Sequence, residues 1–227
     1  MMNRLKLVNF SGIATCFSRD YKCIDSFPPI SCDFSFGTAN GFISDYGCGS
    51  WGLGTCLSGY GQWESFGKVY IDEELVDQET LKKISGTILD PVWHQFCLKN
   101  KEDTVRNCIE YALQKSQQPF CHSEIKDIFS LSNSRYNRPI HESSGEIWNI
   151  SLAILFSLKK DIIVYPWLNA VDIKRVVYAE TEGILDFLKK QQKMLFIPSS
   201  QRKTIVRICD RSIEFDITLN KANIKYR

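Results

Sequence analysis

The residues best placed to do chemistry lie between Ser44 and Gly59, in the run SDYGCGSWGLGTCLSG. Glycines at Gly47, Gly49, Gly52 and Gly54 let the backbone turn tightly and approach a ligand with no Cβ in the way. They follow a short apolar run, Gly41-Phe42-Ile43, and precede a helical pattern. A strand, a glycine loop and a helix N-terminus together aim backbone N–H groups at an anion, most often a phosphate. The usual cation is missing, because no lysine or arginine lies between Lys22 and Lys68. The same glycines fit a dinucleotide loop, GCGSWG at Gly47–Gly52, with Asp72 twenty residues on as its ribose carboxylate. They also fit a glycine-rich turn with no ligand.

A second stretch is Glu142-Ser143-Ser144-Gly145-Glu146, ahead of an apolar run. Ser143 with Glu146 three residues later reads as a helix capping box on its own. The three histidines, His94, His122 and His141, have no metal-ligand spacing. Cys121-His122 are chain neighbours, so the histidine does not face the thiol as a base would. The nine cysteines contain no CxxC pair, which argues for reduced, mostly buried thiols and no metal site.

Those residues need a scaffold. The chain has 227 residues, enough for one sizeable core and a subdomain. A net charge of +2 with no nucleic-acid motif argues against a nucleic-acid partner. The longest apolar stretch, Ile150–Leu158, is far below the roughly 20 residues of a membrane span. With no leader at the N-terminus, the expected location is cytoplasmic.

Alternation predicts strands over residues 4–10 and 13–17, a break at Pro28-Pro29, and a strand over residues 30–36. Asn40-Gly41 reads as a turn. Leu53, Cys56 and Leu57 then form one helix face, stopped by Gly59 and Gly61. Further strands are expected at residues 68–72, ending in an acidic turn, and at residues 84–89, ending at Asp90-Pro91. Helices are expected over residues 104–115 and 123–131, with a polar loop at 133–139, then an apolar helix through Trp148 to Leu158. Ile162–Tyr165 and Leu195–Ile197 read as fully buried strands, with 171–193 mostly helical between them and a strand-like tail, RSIEFDI. An antiparallel start, a helical middle and a βα end indicate an α/β core with an added helical subdomain.

The order of these pieces resembles the nucleotide-binding domain of ATP-binding cassette (ABC) transporters over nearly the whole chain, residues 1–227. The resemblance implies an α/β, P-loop NTPase-like cassette fold, with an antiparallel β-subdomain and a helical subdomain near residues 100–158. Ser44, Gly47, Cys48, Gly49, Ser50, Trp51 and Gly52 stand where the family has its phosphate loop, GxxGxGK[ST][ST]. Phe17 falls where the family stacks adenine. Ser143, Ser144, Gly145 and Glu146 resemble the signature sequence, and residues 162–172, IIVYPWLNAVD, resemble the Walker B strand and D-loop, with Asp172 as the D-loop aspartate. Asp90 lies near the Q-loop position, and Trp93–Phe96 near the contact zone with the membrane subunit.

The departures matter as much. Ser50 replaces the phosphate-binding lysine and Trp51 the magnesium-binding hydroxyl. Tyr165 replaces the metal-binding aspartate, Pro166 the catalytic glutamate and Ser200 the switch histidine. Phosphoryl transfer rests on positioning and charge stabilisation, so these losses together imply a chain that does not hydrolyse ATP at its own loop. What the resemblance then implies is the regulatory or structural half of a dimer with a second nucleotide-binding domain, a homodimer or by preference a heterodimer, on ABC transmembrane subunits, peripheral on the cytoplasmic face. Any ATP and magnesium would sit at a composite site, between a partner's phosphate loop and this chain's signature. A non-transport interaction protein with the same fold is the alternative.

Overall fold

In a computed structural model the described residues are 2–17, 22–88, 103–143, 146–216 and 221–226. The first two expected strands form one, β1 (Arg4–Phe17), paired antiparallel with β2 (Lys22–Ser35). Pro28-Pro29 does not break the chain. The two prolines sit inside β2 where the register slips, between the pairs Gly12↔Phe27 and Phe10↔Ile30. A bulge in an edge strand asks little of the missing N–H groups, which is why two prolines are tolerated there. β4 (Gln62–Trp63), β5 (Lys68–Ile71) and β6 (Glu74–Val76) complete this antiparallel sheet, in the order β2-β1-β5-β6 with β4 on β1. The turn between β5 and β6 uses Asp72 and Glu73, both at positive φ. The Asp72 carboxylate accepts the N–H groups of Asn3 and Arg4. It therefore ties down the start of the chain, in a different sheet from the glycine loop's strand, and the dinucleotide arrangement loses its ribose-binding group.

The second sheet holds β3 (Ala39–Ile43), β7 (Ser85–Thr87), β8 (Ile162–Val164), β9 (Met194–Ser199), β10 (Arg211–Asp216) and β11 (Lys221–Tyr226). Its order is β11-β10-β3-β9-β8-β7, parallel throughout except for β10 with β11. β3, β8 and β9 are buried at every position, as expected of parallel strands covered on both faces. Asn40-Gly41 lies within β3 and is not a turn. The chain reverses instead at Gly37, whose φ is +79°. Gly41 serves packing: a Cβ there would lie 2.1 Å from Ile205 Cγ2.

Helix α1 (Ser50–Leu57) lies between the sheets, against β1, β2 and β9. The expected strand from Ile84 is instead the end of a helix, α2 (Gln78–Ile84), followed by the short β7. Asp77 caps α2 by accepting the Thr80 N–H at 2.7 Å, Glu79 sits in its first turn, and Lys82 and Lys83 sit in its last. The helical middle comprises α3 (Val105–Ser116), α4 (His122–Ile128), α5 (Asn133–Tyr136) and α6 (Ile147–Ser157). The segment read as a polar loop at 133–139 thus contains a turn of helix, anchored by the buried Tyr136. After β8 come α7 (Ile173–Thr181) and α8 (Ile184–Lys190), separated by Gly183 at φ +75°. After β9 comes α9 (Arg202–Ile208), which packs on β3.

The close approach at Gly41 gives a testable coupling. Gly41→Ala should destabilise the protein by about 1–3 kcal/mol through overpacking. Ile205→Ala should remove part of that penalty when the two are combined. Urea midpoints of the two single variants and the double variant measure this, and strict additivity would contradict the contact.

Candidate functional site

β3 delivers the chain to Ser44, and the Ser44 N–H donates to the Ser199 carbonyl at 3.3 Å. The ends of β3 and β9 therefore stand side by side, at the edge where open α/β sheets bind ligands. Gly47 and Gly49, at φ +78° and +102°, turn the loop into α1. This is the strand–loop–helix frame of an anion cradle, and the N–H groups of Gly49 and Gly52 are already engaged.

Their partner is Asp25, a buried residue of β2. Its Oδ1 accepts the Gly49 N–H at 2.5 Å, and its Oδ2 accepts the Gly52 N–H at 2.7 Å. Burial pushes the Asp25 carboxyl above its ordinary range, and the N–H donors of Gly49 and Gly52 hold back part of that rise. The Ser50 N–H donates to Ser44 Oγ at 3.2 Å. The Ser44 and Ser50 hydroxyls lie 2.6 Å apart, so Ser50, fully buried, faces back into the loop. The glycine pattern makes this contact possible, since a Cβ on Gly52 would lie 2.7 Å from the Asp25 carbonyl oxygen. A Cβ on Gly49 would crowd Phe215, Phe27 and the Ser26 carbonyl.

Aromatic rings surround the outer side of the loop. Tyr46 lies 6.3 Å from Trp51 and meets Trp167 edge-on at 5.2 Å, between ring centroids. Trp167 Nε1 donates to the Ser44 carbonyl at 3.2 Å. Gly47 is exposed at the tip, and Cys48 is half-buried with its thiol 3.6 Å from the Tyr46 carbonyl.

Tyr165 follows β8, and its N–H donates to the Phe196 carbonyl. Its side chain turns into the core, buried and stacked on Trp148 at 6.1 Å. The hydroxyl has no hydrogen-bond partner among the described residues, and burial pushes its pKa far up. Pro166 is half-buried beside it. Ser200 is half-buried after β9, within 3.4 Å of the Gln201 side-chain amide. Its neighbour Ser199 donates to the Leu168 carbonyl at 2.6 Å. Asp172 begins α7 and accepts from Asn169 Nδ2 at 2.8 Å, while its own N–H donates to Asn169 Oδ1. The sheet edge thus gathers residues 44–52, Tyr165–Trp167 and Ser199–Ser200.

Ser143 and Glu146 stand in the helical layer. Ser143 is fully buried, with its hydroxyl directed at the Pro139 carbonyl, 3.4 Å away. The Glu146 carboxylate accepts the Ser132 N–H at 3.0 Å. The capping-box reading fails, because Glu146 itself is the N-cap of α6 and makes no side-chain cap bond. Ser144, Gly145, the side chain of Phe17, Asp90 and Trp93–Phe96 lie outside the described residues. Among the described residues, no group of three or more histidine, cysteine, aspartate or glutamate side chains is placed to hold a metal ion. None of the described helices is long and apolar enough to cross a membrane.

An antiparallel sheet, a parallel sheet with its glycine loop at β3, and helices between β7 and β8 match a well-populated group of solved structures. The fold is that of an ATP-binding cassette. A cassette structure from Clostridium perfringens, CbiO1, part of the ABC transporter complex CbiONQ, superposes with a TM-score of 0.66. That match is 13% identical in sequence and covers 95% of this chain and 86% of the other. An ATP-binding cassette of an ABC transporter in its ADP conformation gives 0.66 at 14% identity, over 95% of this chain and 87% of the other. A metal-chelate type ABC transporter in an inward-facing conformation gives 0.65 at 13%, over 100% and 84%. No protein-family model matches the sequence, and no curated protein does.

Magnesium–nucleotide does not fit the cassette's phosphate loop as it stands here. The Asp25 carboxylate already takes the Gly49 and Gly52 N–H groups of that loop. No lysine lies in the loop to offset phosphate charge, and the position read as the metal carboxylate holds the buried Tyr165. Asp25 was invisible to motif reading. It stands alone in CIDSF, 24 residues before Gly49, and only the pairing of β2 over α1 brings the two together.

Two stability measurements follow. Tyr165→Phe deletes a buried hydroxyl that makes no bond among the described residues, so it should leave stability unchanged or raise it by about 1 kcal/mol in thermal or urea unfolding. The Asp25 carboxyl is raised in the folded state, so the folded protein holds its proton more tightly than the unfolded chain. That contribution is full below the ordinary aspartate range and is lost as pH rises through the folded value. The stability of the native protein relative to Asp25→Asn should therefore shrink with rising pH across that window, as urea midpoints at several pH values would record.

Proposed function

We propose that this chain is a cassette-type subunit without ATP hydrolysis of its own, working as the structural or regulatory half of a nucleotide-binding dimer. The observation that carries this reading is the Asp25 carboxylate seated on the Gly49 and Gly52 N–H groups. Those groups would otherwise hold phosphate, and Ser50, Trp51, Tyr165 and Pro166 supply none of the charge that phosphoryl transfer needs. The dimer partner would be a second nucleotide-binding domain, a different chain with an intact loop, and both would dock on transmembrane subunits at the cytoplasmic face. The structurally similar CbiO1 is described as part of the ABC transporter complex CbiONQ.

ATP and magnesium would then belong to a composite site made by the partner's phosphate loop and this chain's Ser143–Glu146 and Asp172. Ser143 would have to turn away from the Pro139 carbonyl to donate to a partner's γ-phosphate, and Asp172 would join it from the start of α7.

Calorimetry with magnesium–ATP tests the first half of this proposal. The isolated chain should show no tight binding, and Trp51→Ser alone should not create it. The isolated chain should also have no ATPase activity above background. Activity of the partnered complex should fall at least about tenfold with Ser143→Arg. Tight magnesium-dependent ATP binding by the unmodified chain would overturn the reading.

A further inference from the structure

We propose that Asp25 is a built-in ligand of the glycine loop, its carboxylate standing in for a nucleotide phosphate so that the loop stays formed and closed to external anions. The inference rests on the reading of residues 44–52 as a phosphate loop and adds the group that fills it. A turn of successive N–H groups at a helix N-terminus carries partial positive charge and calls for an anion. Here each carboxylate oxygen takes its own N–H, from Gly49 at 2.5 Å and from Gly52 at 2.7 Å. No ion pair to Asp25 occurs among the described residues, so the backbone itself holds this charge.

The fit is built from both sides. Gly52 must lack a side chain because the Asp25 backbone passes 2.7 Å from where its Cβ would be. Gly49 must lack one because Ser26 and Phe27, the next residues of β2, pass 3.3 and 3.2 Å from the corresponding point. β2 thus lies across the loop, and phosphate could reach these N–H groups only if Asp25 withdrew. The contact also joins the antiparallel sheet to α1, fixing the orientation of the β1–β2 hairpin over the parallel core.

The test is chemical rescue. Asp25→Ala should unfold at lower temperature than the native protein. Sodium phosphate or sodium formate should raise its Tm at constant ionic strength, with an apparent affinity at least about tenfold tighter than any effect on the native protein. Sodium chloride should give no such rise. If the variant does not fold in chloride, folding induced by phosphate or formate is the readout, and failure of both anions to restore it counts against the proposal. A second measurement uses the native chain: the amide resonances of Gly49 and Gly52 should not move on titration with inorganic phosphate. Movement of those two resonances would overturn the proposal. So would an Asp25→Ala variant that gains no more from phosphate or formate than from chloride. Tight ATP binding by the native chain would sink the functional proposal, whereas a variant indifferent to anions sinks only the assignment of Asp25.

Discussion

A buried carboxylate facing backbone N–H groups, with no ion pair among the described residues, is the constraint around which the rest of this molecule is arranged. Removing an ion from water costs several kcal/mol even after relaxation. Charge-assisted hydrogen bonds return roughly 1.5–3 kcal/mol each, and a helix N-terminus adds a favourable field of about 0.3–1 kcal/mol. Asp25 receives N–H donors from Gly49 and Gly52, so the two sides are of similar size. The balance holds only while the loop keeps its turn and β2 keeps its place. Gly49 at φ +102° and the missing Cβ of Gly52 are therefore requirements of this contact, as well as features of a loop.

Positions at which the resemblance expects charge are given to packing. Tyr165 stacks on Trp148 inside the core, and its hydroxyl has no partner among the described residues. Ser50 bonds back to Ser44, and Trp51 joins Tyr46 and Trp167 in one aromatic group on the outer side of the loop. Trp167 is also tied to the Ser44 carbonyl, so the segment after β8 braces the segment after β3. The segments that follow β3 and β8 are thus held together by ring contacts and a hydrogen bond.

The parallel strands were legible in the sequence because burial on both faces leaves an unbroken apolar run, as in Ile162–Val164 and Met194–Ser199. The helix over Val105–Ser116 was legible from its periodic buried face. What misled was local chemistry overruled at long range. Pro28-Pro29 signals a break, but an edge-strand bulge absorbs it. Asn40-Gly41 signals a turn, but the glycine is there to admit Ile205. At the site, the glycine loop and its missing lysine were readable from spacing and composition. Asp25 was not, since nothing local distinguishes an aspartate in a strand from one aimed across a sheet.

The missing lysine and the resident carboxylate also belong together physically. A phosphate loop with its lysine holds a strongly positive cradle that nucleotide neutralises. Without the lysine, the backbone N–H groups alone still favour an anion, but a monovalent, desolvated one suits them better than a triphosphate whose remaining charge has no partner. An aspartate meets that need with a single charge and two oxygens, delivered by the chain at no translational entropy cost. Restoring a lysine at Ser50 while Asp25 remains would place a cation beside a carboxylate already bound, and an internal ion pair is the expected product. Recovery of nucleotide binding therefore requires removing Asp25 before adding any cation.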